Sequence, residues 1–165
     1  MRSIVAVGLV VILAGCVQAQ PSVGAWQVPA EGPPLNAGVV MQLAGKTCWG
    51  FFDKGINSET ARGAVFIRFS PSPPIGDFWN KWGKEAQAAA HRDNPDGYDY
   101  VGKTTVAQLT PAGTEITFQR PYSRTNRVAQ SFDWFIRPTS PDNYAMRAIG
   151  NPNAQVGAVG ELHCS

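Results

Sequence analysis

From Thr47 onward the chain is a succession of short aromatic and β-branched runs, each cut off by glycine, proline or a polar turn. That spacing limits the fold more than any other feature. Candidate strands cover residues 47–52, 64–69, 98–101, 103–109, 115–120, 127–137, 144–149 and 158–164. The runs 98–101 and 103–109 read equally well as one interrupted strand. Val65, Ile67 and Phe69 fall on one face of their strand. Val128, Phe132, Trp134 and Ile136 share a face of theirs, opposite Ala129, Ser131, Asp133 and Arg137, while Gln130 and Phe135 break the pattern. Such alternation belongs to antiparallel strands with one face buried. The prolines at 71, 73 and 74 close one strand, and Thr110-Pro111-Ala112-Gly113 suits a tight hairpin. The expected fold is mainly β (α+β by content): an antiparallel barrel-like or sandwich domain of about seven to eight strands.

One stretch breaks this pattern. Across 77–91, Asp77 suits an N-cap, and Trp79, Trp82, Ala86 and Ala89 recur at helical spacing. Asn94-Pro95-Asp96-Gly97 then forces a turn. The spacing predicts one inserted amphipathic helix over about 77–91, weakened at Gly83.

The first residues carry a different message. Arg2 precedes an apolar run over 4–13, about half the ~20 residues that a membrane-spanning helix needs. A charged start, a short apolar middle and small residues at the cut make a secretory signal. Its ending, Leu13-Ala14-Gly15-Cys16, resembles the lipobox of bacterial lipoproteins. The resemblance implies a signal peptide over 1–15 and a mature chain that begins at a lipidated Cys16. Val17-Gln18-Ala19 offers an ordinary signal-peptidase cut, which would instead release a soluble periplasmic or secreted protein. Residues 16–42 are rich in proline, glycine and alanine and read as a tether, with Trp26 able to pin part of it. The domain is expected over 43–165. Removing the signal takes away only Arg2 from the 14 basic residues and none of the 12 acidic ones. A charge so close to balance gives no reason to expect nucleic acid as a partner.

Of three cysteines, lipidation of Cys16 leaves Cys48 and Cys164 as a pair in an oxidising compartment. They lie on the first and last candidate strands, which a closed barrel must bring together. A bridge there would fasten the seam. The arrangement resembles small lipocalin-like barrels, whose early strand carries a glycine and a tryptophan under the barrel floor; here Gly45 and Trp49 are four apart instead of two. Parity adds a condition. If Trp49 points inward, the bridge lies outside or at an end, and Glu161 and His163 turn inward.

Catalytic machinery is not visible in the sequence. His91 follows the expected helix and His163 adjoins Cys164, so no nucleophile–base pair stands out. Asp93, Asp96 and Asp99 superficially resemble a calcium loop, but an EF-hand alignment puts Arg92 and Lys103 at ligand positions. No catalytic set, metal site or cofactor is expected. Two features suggest binding. Arg120, Arg124 and Arg127 form a basic loop suited to anions or a partner protein. Trp49, Trp82 and Trp134 are candidates for lining a ligand cavity in the barrel, and Phe78, Trp79 and Trp82 could lid its mouth. The expectation is a lipid-anchored protein of the cell envelope, on the outer membrane facing the periplasm. It would be a non-enzymatic module for a small apolar or amphipathic ligand. The alternative is a protein-interaction role, as an inhibitor or accessory subunit of an envelope assembly.

Overall fold

The computed structural model describes residues 32–53, 62–120, 133–149 and 158–165. The signal, Cys16, Trp26 and the tether up to residue 31 lie outside the described residues, as do Arg124, Arg127, Val128 and Phe132. The strands are β1 (Thr47–Asp53), β2 (Arg62–Phe69), β3 (Ile75–Trp82), β4 (Asp99–Val106), β5 (Gln108–Leu109), β6 (Ile116–Gln119), β7 (Asp133–Ser140), β8 (Asn143–Ile149) and β9 (Ala158–Cys164). They form one nine-stranded sheet in the order β4-β3-β2-β1-β9-β8-β7-β6-β5, antiparallel throughout.

That order describes a nearly closed barrel. The two end strands, β4 and β5, are separated in sequence only by Ala107. The chain therefore pairs with β3, bends at Ala107 and then pairs with β6. The Gln119 amide donates to Thr105 Oγ1 at 2.8 Å across the remaining gap. Taken as one interrupted strand, β4 and β5 reduce the count to eight. The interruption falls at Ala107, beyond the expected break at Gly102.

The first and last strands pair in the middle of the sheet. Cys48 stands directly opposite Cys164, and a disulfide joins them across 116 positions of sequence. Thr47 and Ser165 continue the ladder by exchanging two hydrogen bonds of 2.9 Å. The parity condition fails at its premise. Cys48 and Phe52 face the core while Trp49 and Phe51 face out, so the bridge is inside the barrel and wholly buried. Glu161 and His163 point outward with Trp49. Two glycines permit the seam's close approach. A Cβ on Gly50 would lie 1.9 Å from the Glu161 carbonyl oxygen, and one on Gly160 would lie 2.1 Å from that of Phe51.

The expected helix over 77–91 is shorter than its pattern suggested. Residues 77–82 belong to β3, with Phe78 and Asn80 buried and Asp77, Trp79 and Lys81 on the other face. Trp79 and Trp82 are three apart, a spacing that suits one helix face or opposite faces of a strand, and tertiary packing selects the strand. Gly83, at φ +77°, ends it. A single 3-10 turn, Gly83–Glu85, then leads into the short helix α2 (Ala86–Ala89), and Asn94 caps the following turn by accepting from the Asp96 amide.

The packed domain also begins earlier than residue 43. A helical turn, α1 (Gly38–Met41), precedes β1, and Val39 and Leu43 enter the main core with Leu35 and Val40 against it. The Leu35 amide donates to Gly113 of the β5–β6 turn at 2.6 Å, and Gly45 donates to Ser70 of the β2–β3 turn. This segment plugs the end of the barrel that carries the disulfide.

Candidate functional site

The barrel's axis is filled by aromatic side chains. Trp134 is 1 % exposed and sits among Phe52, Phe78 and Phe118, with ring centroids 5.4, 5.4 and 6.2 Å away. Phe69 extends the stack from Phe118, and Trp82 meets Phe52 edge-on at 5.0 Å. Offset and edge-to-face pairs each add about 0.5–1.5 kcal/mol beyond the area they bury. Of the three tryptophans expected to line a cavity, Trp134 is therefore core, Trp82 is a half-buried residue at the end of β3, and Trp49 lies on the outer wall. Phe78, Trp79 and Trp82 likewise separate into core, outer wall and strand end instead of forming one lid.

Outside, register produces an arrangement that no single segment announces. His163, Trp49, Phe66, Trp79 and Tyr100 are successive cross-strand partners on β9, β1, β2, β3 and β4. All five face outward and form one aromatic row across half the barrel. Neighbouring rings pack at 4.7 Å (Trp49–His163), 5.4 Å (Phe66–Trp79) and 5.2 Å (Trp79–Tyr100). The Arg68 guanidinium lies 6.0 Å from the centroids of both Phe66 and Trp79. At the row's far end, His163 Nδ1 is 3.1 Å from Asn143 Oδ1.

Helix α2 covers the middle of this row. Its small side chains, Ala86 and Ala89, and the following Ala90 let the backbone settle on Ala64 and Phe66. The Tyr98 hydroxyl donates to the Ala89 carbonyl at 2.7 Å, and burial pushes its pKa up to about 12. Trp49 and Phe51 remain half-buried beside the helix, and Tyr100 is 58 % exposed. Below the row, Asp77 accepts from Lys103 at 2.8 Å and from Tyr100 at 3.0 Å. The Lys103 bond, opposed by partial desolvation and aided by Tyr100, holds the Asp77 carboxyl below the usual range.

A second feature lies on the opposite side. A groove of about 610 Å3 runs along the outside of β5, β6 and β7. Gln108, Thr117 and Phe135 are cross-strand partners along its length, and Gln119 and Asp133 form the next outward row. Thr105, Val106 and Pro111 complete its rim. Arg147 lies over the Phe135 ring at 4.0 Å, with both its terminal and Nε nitrogens donating to Glu115.

Of the expected basic loop, only Arg120 is described. It is half-buried just after β6, and desolvation pushes its guanidinium below the ordinary arginine value. Among the described residues, no three His, Cys, Asp or Glu side chains converge as metal ligands. The aromatic row and the groove both escaped sequence reading, because each is assembled by register between segments far apart in the chain. The partial signal was the recurrence of lone aromatics at strand centres. No protein-family model, curated protein or solved structure matches the chain.

Proposed function

We propose that this is an exported, lipid-anchored protein of the cell envelope that acts as a non-enzymatic binding module for a protein partner. Its contact surface is the outer wall formed by β9, β1, β2, β3 and β4. The observation that carries the reading is the accessible part of the aromatic row, His163, Trp49, Trp79 and Tyr100 with Arg68 beside them, flanking the helix that covers Phe66. Tryptophan, tyrosine and arginine dominate the binding energy of protein interfaces, because each brings a large contact area and a polar handle. The filled core weighs against the other expectation, a small apolar ligand inside the barrel, because Trp134 and three phenylalanines occupy that space.

The chain's entry supports a particular orientation. It joins the barrel at the plugged end, where Leu35 bonds Gly113. A lipid on Cys16 would hold that end toward the bilayer. Fifteen residues lie between Cys16 and Gly32, a reach of at most ~55 Å fully extended. A tether of that reach leaves the outer wall free to meet a partner away from the membrane surface.

A photo-crosslinking residue at position 100 in growing cells tests the partner. A discrete adduct that Trp79→Ala abolishes is expected, while the same residue at exposed Ala112, in the β5–β6 turn away from the row, should give none. Absence of any adduct at position 100, or saturable one-to-one uptake of an apolar probe that quenches Trp134, would reverse the reading in favour of the small-ligand alternative. The anchor has a separate test. Intact-mass analysis of the membrane fraction should show an acylated chain beginning at Cys16, and a soluble chain beginning at Gln20 would refute it.

A further inference from the structure

We propose that the groove outside β5, β6 and β7 is a binding site for a neutral glycan. The site lies on the side of the barrel away from the aromatic row, and the inference stands without the protein-partner reading.

The argument starts from what the lining side chains have left to give. Gln108, Thr117, Gln119 and Asp133 point outward from adjacent strand positions, and their side chains make no hydrogen bond or ion pair with other described residues. Their spacing is that of the sheet: about 5 Å between partners across strands and about 7 Å between successive outward rows. Non-adjacent hydroxyls of a pyranose, about 5 Å apart, present donors and acceptors on the scale of this spacing. Amide and carboxylate side chains can meet two of them at once. Phe135 stands in the same row as Gln108 and Thr117, and one side of its ring is occupied by Arg147. The rest of that ring, with Val106 at 43 % exposure, supplies apolar surface for the C–H face of a pyranose.

Other ligand classes fit less well. An apolar molecule would strip water from two amides, a hydroxyl and a carboxylate without replacing their hydrogen bonds, at about 1–3 kcal/mol each. An anion would meet Asp133 and no lining cation, since the neighbouring Arg147 is already engaged by Glu115. An extended peptide joining as an added strand needs free backbone groups along an edge. Here the Gln119 amide is satisfied by Thr105 Oγ1, and β5 is already paired with β6. The volume, about 610 Å3, falls within the ~300–1,000 Å3 range of small-ligand sites.

Calorimetric titration of the purified full chain with maltotriose, cellotriose and chitotriose tests the proposal, with trigalacturonate as the anionic comparison. At least one neutral trisaccharide should bind and trigalacturonate should not. The double variant Gln119→Ala/Asp133→Ala should weaken binding at least tenfold with an unchanged urea midpoint, since both side chains lie at the surface of the sheet. Gln108→Ala, on the exposed β5, provides the same test without touching β7. Affinity that climbs from monosaccharide to trisaccharide identifies a polymer as the natural source, and a flat series identifies a free sugar. Failure of all three neutral sugars to bind overturns the proposal. So does binding that survives both variants, or binding of trigalacturonate alone. None of these outcomes bears on the crosslink at position 100.

Discussion

Cutting the Cys48–Cys164 bridge opens the one seam of the barrel that joins its two chain ends. The linked positions are 116 residues apart. In the chain-entropy treatment, a loop of that length removes enough freedom from the unfolded chain to stabilise the fold by about 5 kcal/mol near room temperature. The double variant Cys48→Ala/Cys164→Ala should still fold. The β1–β9 ladder keeps its remaining paired positions down to Asp53–Val159, and the aromatic core around Trp134 does not depend on the sulfurs. Its stability should fall by about 4–5 kcal/mol, the upper part of the usual range for a lost native disulfide. For a domain of this size each kcal/mol moves the midpoint by roughly 3–5 °C, so Tm should drop by about 12–25 °C.

Urea unfolding followed through tryptophan fluorescence measures this directly, because Trp134 is buried in the folded state. The m-value should also rise. Without the bridge the unfolded chain expands and exposes more surface. A loss of under about 1 kcal/mol with an unchanged m-value would refute the loop-closure reasoning. Burial gives a second readout. Both sulfurs are inaccessible within the core, so a thiol reductant should attack only when the seam opens. Reduction should be slow in buffer and accelerate steeply near the urea midpoint. Rapid reduction of the native protein would contradict the bridge's interior position.

Three further outcomes are expected. Gly160→Ala should destabilise the fold by about 1–3 kcal/mol, because its Cβ would collide with backbone atoms of Phe51 and Phe52, which cannot rotate away as a side chain would; an unchanged denaturation midpoint would mean that the seam relaxes freely. Trp134→Ala should cost about 3–5 kcal/mol, against about 1–2 for Trp79→Ala, which is half-buried beside Phe66 and Tyr100, and equal losses in urea would show that the core is not centred on Trp134. The Tyr98 pKa is raised from 10 to about 12, so its contribution is fully present below pH 10 and is lost as pH rises toward 12. The bond to Asp77 also raises Tyr100 and burial raises Tyr144, so phenolate absorbance should lose its component near pH 12 in Tyr98→Phe while other late-titrating tyrosines persist, with α2 loosening over the same interval by circular dichroism.

The sequence made the strands legible because each buries one face, and a period of two leaves little choice of conformation. Residues 47–52, 64–69 and 144–149 follow from that alone, as does the pairing of the first strand with the last once closure is required. Which face turns inward was a different matter. Trp49 and Phe51 are larger and more apolar than Cys48 and Gly50, so hydrophobicity favours burying them in the barrel. The barrel instead places small residues inward at the β1–β9 seam, where Gly50 and Gly160 let the backbones approach, and uses Trp49 and Phe51 to flank a helix outside. The same competition misled the reading of 77–91. Two tryptophans three apart satisfy a helix, but the outer wall needs Trp79 beside Phe66 and the core needs Phe78 beside Trp134. Only a strand meets both demands. In the tether, proline and glycine masked Leu35, Val39 and Leu43, whose four-residue spacing was itself a helical signal for the plug.

The two candidate sites were beyond sequence reading for a deeper reason. Gln108 and Thr117 face each other across a hairpin, a relation the Thr110-Pro111-Ala112-Gly113 turn could have supplied. Asp133 reaches Gln119 only through a connection of thirteen residues, and Trp49 reaches His163 only because the barrel closes. Closure is thus the step that turns scattered polar and aromatic residues into surfaces. It also explains why both surfaces lie outside. Among the described residues, Trp134 and its phenylalanine neighbours pack the centre of the barrel, and the outer rows carry both candidate surfaces.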